Sequence, residues 1–328
     1  MAGTIGIIGA GPVGGILAAH LSAAGHTVVL VDAWREHIEK IRSDGLRITG
    51  KDRITARPAH LLASVGELDV HAPEFVFVCT KACDLDNVLR GMSGALERSD
   101  AVFVSFQNGI DTEQVLAARM DRRRVLRGVV SYAGVLTGPG EIRTSFFTPP
   151  NYLGWLDERG AEPCRKAAAV LTEAGLATEA TGDIGRYVWR KAILNSCTMS
   201  IAAITGMTMQ EMVEFPATAD LVELLLQESV AVAAAYGYDY GPGFVQSVRD
   251  FNSRAGHHKP SMRADIENGR RTENPFLIRR IADYAERKGV PAPLHRTVAN
   301  LIDALETKAL ERRRRPGGPA QSPPGSAK

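Results

Sequence analysis

No apolar run in the 328-residue chain approaches the roughly 18 residues that mark a membrane-spanning helix, which argues against a place in the bilayer. Positive charge is missing from the beginning, since no Lys or Arg precedes Arg35. The apolar start therefore lacks the basic segment of a secretory signal, and its glycines explain it better. Cysteine is scarce: Cys79, Cys83, Cys164 and Cys197 form no C-x-x-C pair, which predicts free thiols in a reducing cytoplasm. No metal is expected either. His257 and His258 are adjacent, so they point apart on a helix, and no carboxylate or thiol spacing completes a site. Charge of one sign is lacking too, with 39 basic against 37 acidic residues and a net charge of +2. The end from Arg312 to Lys328 holds five of the basic residues and no acidic one. Without it the body is slightly acidic, which argues against a nucleic-acid surface on the folded part. Arg312–Arg315, followed by Pro, Gly and Ser, reads as a disordered basic tail over residues 312–328.

What remains is ordinary for a globular chain, 45% hydrophobic and 23% charged, and long enough for two domains. Its organising stretch is Gly9-Ala10-Gly11-Pro12-Val13-Gly14, which follows the apolar run Ile5–Ile8 and opens a helix over Val13–Ala24. In such a turn Gly9 allows the tight bend, Gly11 lets the backbone approach a pyrophosphate, and Gly14 lets helix and strand pack closely. The helix start directs free N–H groups and a positive dipole end at the phosphates. Pro12 fits because the first helical turn needs no donor there. Alone, the spacing also suits a glycine-rich turn in some other α/β protein. Here a second strand, Thr27–Val31, follows and ends in Asp32, where an acid binds the hydroxyls of an adenosine ribose.

Further strands are expected at Glu74–Thr80, Val102–Phe106 and Val125–Ser131, with helices between them, one over Glu36–Arg42 and one through Ala118 capped by Asp111. Alternation of this kind implies a parallel, doubly wound sheet, whose ligands sit beyond the carboxyl ends of the strands. Lys81 and Asn108 fall at two such ends, beside the glycine loop. Tyr132 to Gly154 reads as hairpin-like strands. From about Asp183 the pattern becomes wholly helical, with helices over Arg186–Ile204, Ala217–Tyr236, Pro242–Arg254, Pro260–Asn268, Glu273–Lys288 and Pro293–Leu310. The expected division is a dinucleotide-binding α/β domain over residues 1–181 and an all-α domain over 182–311.

The helical half carries a few polar residues in apolar surroundings. Lys191 and Asn195 are four apart and share a helix face. Ser261 and Asp265 form another such pair, and Thr272 stands where it would cap the helix that Glu273 opens. Each has a bland alternative, such as a lysine snorkelling at a helix edge.

Taken together, Gly9-x-Gly11-x-x-Gly14, Thr80-Lys81-Ala82, Gln107-Asn108-Gly109, Trp189-Arg190-Lys191 with Asn195, Ser261-Met262 with Asp265, Thr272-Glu273 and Gly289-Val290-Pro291 resemble the ketopantoate reductase (2-dehydropantoate 2-reductase) family, in order from residue 5 to about 310. The resemblance implies an N-terminal Rossmann domain, a helical C-terminal domain and an active site in the cleft between them. It implies NADPH-dependent reduction of a 2-oxo acid to the 2-hydroxy acid, with a homodimer as partner state. Carried over by position, Lys191 is the general acid, Asn195 and Asn108 orient it or the substrate, Ser261 donates to the substrate carboxylate, and Glu273 accepts from a distal substrate hydroxyl. Lys81 and Asn108 contact the cofactor alongside Gly9, Gly11, Pro12, Val13, Gly14 and Asp32. An ammonium opposite a developing alkoxide strengthens in the transition state, which suits that role.

The chain departs from the family pattern at three places. Asp32-Ala33 stands where an arginine usually reads the 2′-phosphate, so NAD(H) is the expected cofactor, with Arg35 as the residue that would admit NADP(H). Met199 replaces a frequent asparagine, and Asn274-Pro275-Phe276-Leu277-Ile278-Arg279 replaces a more polar stretch after Thr272-Glu273. These changes fall at the substrate end, so a 2-oxo acid is the expectation and ketopantoate one member of it. The rival readings are an opine-type or other hydroxy-acid dehydrogenase on the same architecture and a non-catalytic NAD-binding regulatory protein.

Overall fold

The computed structural model describes residues 3–254, 256 and 259–314. Two compact units emerge among these residues: 3–107 with 111–184, and 108–110 with 185–314.

In the first unit the strands are β1 (Thr4–Ile8), β2 (Thr27–Val31), β3 (Leu46–Gly50), β4 (Ile54–Ala56), β5 (His60–Leu62), β6 (Phe75–Val78), β7 (Val102–Ser105), β8 (Val125–Val129), β9 (Tyr132–Gly138), β10 (Glu141–Phe147), β11 (Asn151–Trp155) and β12 (Thr178–Thr181). Its helices are α1 (Pro12–Ala23), α2 (Arg35–Asp44), α3 (Leu85–Gly91), α4 (Gly94–Arg98), α5 (Thr112–Ala117) and α6 (Ala161–Glu173). Eight strands form one sheet in the order β12-β11-β8-β7-β6-β1-β2-β5. The six from β8 to β5 are parallel, and β11 turns antiparallel to β8 and carries β12 with it. The chain steps from β1 to β2 on one side and returns to β6 on the other. The order therefore reverses beside β1, where doubly wound sheets bind ligands.

The parallel strands are apolar on both faces, as strands covered on both sides must be. Helix α1 is apolar almost all round because it is packed on two sides. The second covering layer is a four-stranded sheet, β4-β3-β10-β9, whose Ile48, Leu136 and Ile142 share the core with Ile16 and Leu17. The hairpin expected between Tyr132 and Gly154 is thus β9–β10 of this sheet, and Asn151–Trp155 goes to the main sheet instead. The three-residue strands β4 and β5 lie at sheet edges, too short for an alternation of apolar and polar residues to reveal them.

The second unit is helical: α7 (Ile184–Thr205, whose first residue belongs to the first unit), α8 (Met209–Glu214), α9 (Pro216–Ala235), α10 (Phe244–Arg254), α11 (Ser261–Glu267), α12 (Ile278–Lys288) and α13 (Pro293–Arg314). Two expectations are corrected here. The helix drawn over Glu273–Lys288 is broken: Asn274–Phe276 is a 3-10 turn, Leu277 is extended out of helical geometry at φ −117° and ψ −106°, and α12 starts at Ile278. Asn274 starts the turn with Pro275 following it, and the Asn274 amide donates to the Ala299 carbonyl (3.0 Å) and to Asp303 (2.6 Å), tying the turn to α13. Arg312–Arg314 are the last residues of α13 and not part of a tail, since Ala309 is buried one turn before. Residues 315–328, and the pair His257-His258, lie outside the described residues.

Candidate active site

The glycine loop behaves differently at each of its three glycines. Gly9 has φ +103°, and a Cβ there would lie 2.8 Å from the Thr80 nitrogen. At Gly14 a Cβ would fall 1.9 Å from the Gly9 carbonyl oxygen and 2.9 Å from the Cys79 Cβ. Both glycines are thus required by the fold. Gly11 is not: it has φ −64°, and a Cβ there meets nothing within 4 Å. Neither strain nor packing asks for glycine there; glycine suits the N-cap position and leaves open the approach to the first amides of α1. That fits a dinucleotide pyrophosphate, held by the first amides of α1.

Asp32 ends β2 with its carboxylate set by two backbone amides. Its Oδ2 accepts from Ala10 N–H at 2.7 Å and its Oδ1 from Trp34 N–H at 2.8 Å. His37 on α2, which the sequence reading passed over, grips the other side of Ala10, its Nε2 lying 3.0 Å from the Ala10 carbonyl. Nothing in local spacing marks it, because its partners lie 27 and 103 residues away. Across the switch point, the Gln107 amide donates to the Thr80 hydroxyl and the Lys81 carbonyl, each at 3.2 Å. Gln107 thereby ties the loop after β7 to the loop after β6, which carries the half-buried Lys81. Under this loop Asp111 adopts φ +69° and its side chain does not cap α5, contrary to expectation. The next residue, Thr112, is buried and its hydroxyl pairs with that of Ser105 at 2.7 Å.

In the helical unit Lys191 is half-buried and Asn195 buried on the same face of α7. Asn108 belongs to this unit, and its Nδ2 donates to Glu273 Oε2 at 3.4 Å. The contact is made because the Ile110 N–H bonds the Phe276 carbonyl at 2.9 Å and Gly109, at φ +104°, lies where any Cβ would be 2.5 Å from that of Phe276. Thr272, buried, donates to Glu306 (2.7 Å) and accepts from Asn274 N–H (3.3 Å); the N-cap of the 3-10 turn is Glu273 and not Thr272, contrary to expectation. Ser261 opens α11 and its hydroxyl lies 3.9 Å from Met199 Sδ on α7. Asp265 is buried one turn along. The structure thus brings Asn108 to Glu273, and Ser261 to Met199.

Burial pushes the Cys79 thiol well up, and pushes Cys164 and Cys197 up to about 12. Among the described residues no group of three or more His, Cys, Asp or Glu side chains could hold a metal ion, and no helix is long and apolar enough to cross a membrane.

A doubly wound sheet with a glycine loop at its switch point and an acid ending β2, followed by a helical unit, defines a Rossmann-type dinucleotide-binding protein. Residues 5–156 match the family model "Ketopantoate reductase PanE/ApbA" and residues 183–306 match "Ketopantoate reductase PanE/ApbA C terminal". The chain belongs to the ketopantoate reductase family. It is 29% identical over 303 residues to a 2-dehydropantoate 2-reductase of Archaeoglobus fulgidus, covering 92% of this chain and 97% of the relative. Among solved structures, a 2-dehydropantoate 2-reductase from Methylococcus capsulatus superposes with a TM-score of 0.77 at 27% identity, over 93% of this chain and 97% of that one. A D-mandelate dehydrogenase in complex with NADH superposes with a TM-score of 0.81 at 25% identity, over 93% and 99%.

Proposed function

We propose that the protein reduces a 2-oxo acid to the 2-hydroxy acid with a nicotinamide cofactor, NAD(H) in preference to NADP(H). The observation that carries the reading is Gly11, an N-cap glycine that leaves open the approach to the first amides of α1, in a chain that also keeps Lys191 and Asn195 on one face of a mostly buried helix. The bound nicotinamide supplies the hydride. The chain supplies the rest. Lys191 polarises the keto oxygen and gives it a proton as charge develops there. Asn195 orients that ammonium, and Ser261 donates to the substrate carboxylate. Glu273, paired with Asn108, accepts from a polar group at the far end of the substrate. Gly9 and Gly14 shape the loop, Pro12 and Val13 begin the helix behind it, and Lys81 stands at the neighbouring strand end.

The cofactor preference rests on Asp32. Its carboxylate faces the ribose end of the loop, where it accepts hydroxyls and repels a 2′-phosphate. Arg35 is exposed at the start of α2, and a rescue of NADP(H) would have to come from it. A homodimer through the helical unit and a reducing, cytoplasmic setting belong to the same reading. The exposed Phe215, Leu224 and Leu301 of that unit and the buried free thiols support them.

The test is a panel of 2-oxo acids, ketopantoate and phenylglyoxylate among them, assayed with NADH and NADPH side by side. Lys191→Ala serves as the control. Turnover of at least one oxo acid with NADH, lost in the variant, is the expected result. Equal efficiency with both cofactors overturns the preference, and cofactor binding without turnover of any oxo acid overturns the enzyme reading.

A further inference from the structure

His37 is 1% exposed, lies in the dinucleotide-binding unit and has no part in the chemistry above. Both ring nitrogens are engaged. The Gly140 amide donates to Nδ1 at 2.9 Å, so Nδ1 carries no proton and Nε2–H donates to the Ala10 carbonyl at 3.0 Å. The ring stacks on Trp34, centroids 4.9 Å apart and planes 2° apart. Trp34 N–H in turn bonds Asp32, which takes the Ala10 N–H. The Ala10 backbone, at the centre of the glycine loop, is therefore gripped at both its N–H and its C=O.

We propose that His37 is a positioning residue for the cofactor: in its neutral form it holds the glycine loop in the shape that receives the pyrophosphate. The proposal rests on the dinucleotide reading of this loop. Protonation of Nδ1 would turn an N–H toward the Gly140 N–H, losing that bond and setting two donors against each other. Burial lowers the pKa of His37 below its ordinary 6.5, and the Asp32 charge opposes this without reversing it. Of the other charged groups on the packed elements, Lys40, one turn along α2, pairs with Asp44, Glu39 pairs with Arg42, and Glu141, next to Gly140, pairs with Arg47. Arg35 and Glu36 on α2 and Arg143 on β10 are exposed. Asp32 is the charged group that acts on the ring, the bond to the Ala10 carbonyl works in the same direction, and burial outweighs both, so neutral His37 is the form present at pH 7.

The test is the NADH dissociation constant of the full chain, read by fluorescence titration between pH 7.5 and pH 5, with melting temperatures alongside. Wild type should lose affinity toward the acid end, approaching about tenfold as His37 becomes fully protonated, the worth of one buried hydrogen bond. His37→Gln, which keeps a donor for Ala10 and cannot titrate, should bind near the wild-type level at pH 7.5 and show a flat profile. His37→Leu should bind about tenfold more weakly at pH 7.5 and also be flat. If the leucine variant does not fold, the wild-type and glutamine profiles decide. A wild-type profile that is itself flat, or a glutamine variant that follows the wild-type slope, overturns the proposal. Wild type that binds neither NADH nor NADPH at any pH overturns the cofactor reading first, and this proposal with it.

Discussion

Replacing each motif glycine by alanine separates what the fold needs from what the ligand needs. Gly11 has φ −64° and open space around its missing Cβ, so Gly11→Ala fits the backbone as it stands. Alanine is a poorer N-cap than glycine, yet it also narrows the unfolded ensemble, and the two effects, each about 0.5–1 kcal/mol, offset. The melting temperature should therefore stay within a few degrees of wild type. The new methyl occupies the approach to the α1 amides and should disrupt about two charge-assisted hydrogen bonds to a pyrophosphate, which weakens NADH binding roughly a hundredfold. Gly14→Ala does the reverse. Its methyl would lie 1.9 Å from the Gly9 oxygen, a collision that only a shift of α1 relieves. Overpacking of this kind should destabilise by about 3 kcal/mol or more and lower the melting temperature by roughly 5–10 °C. Differential scanning calorimetry and NADH titration on both variants check the pair. A Gly11→Ala variant that binds NADH like wild type, or melts as low as Gly14→Ala, refutes the assignment of Gly11 to the ligand.

Lys191→Ala should lower kcat by about 10²–10⁴ with the NADH dissociation constant unchanged, as stopped-flow and equilibrium titration will show. Asp32→Asn removes the charge and keeps an acceptor for only one of the Ala10 and Trp34 amides, so NADH binding should weaken somewhat while the NADPH-to-NADH ratio of kcat/KM rises roughly tenfold or more. Native protein at pH 8 should leave Cys83, Cys164 and Cys197 unmodified by a thiol reagent such as DTNB, and guanidinium should expose them all. Glu228 accepts from the Leu294 and His295 amides (3.0 Å each) and from His295 Nδ1 (2.7 Å). Burial pushes its pKa up, but these bonds outweigh that and hold it below the ordinary 4.5, so its stabilisation is present at neutral pH and lost as the pH falls below 4.5. Glu228→Gln should melt lower than wild type at pH 7, with the gap closing in acid.

Much of the cofactor end was legible because backbone geometry dictates it. Gly9 and Gly14 admit no other residue, Pro12 suits a first helical turn, and a parallel strand buried on both faces can only be apolar. The spacing of these constraints is short in sequence, so a reader of the chain meets them together. His37 was invisible for the opposite reason. Its partners are the carbonyl of Ala10 and the amide of Gly140, groups every residue possesses, brought to it by α2 and by the β9–β10 turn. The break before α12 was hidden because Pro275 is tolerated in a first helical turn. Only Asn274, drawn to Asp303 on α13, shows that the helix must wait until Ile278. Gln107 was read as part of a motif, but its task of joining the ends of β6 and β7 depends on their adjacency in the sheet.

The substrate end follows another logic, since there side-chain identity and not backbone shape carries the chemistry. Glu273 is nearly buried at 8% exposure, with the Asn108 amide 3.4 Å away. The neighbouring features are less polar. Phe276 is fixed against Gly109, and the Ser261 hydroxyl meets the thioether of Met199, a weak acceptor that leaves it able to donate to a substrate carboxylate. In the proposed reaction the 2-oxo acid end of the substrate is served by Lys191, Asn195 and Ser261 whatever its tail, whereas Glu273 and Phe276 meet the tail. The acid and the ketone define the reaction. On that proposal Glu273, Phe276 and Met199 set which member of the class is preferred, and substitutions at those three positions should move KM among 2-oxo acids far more than they move kcat.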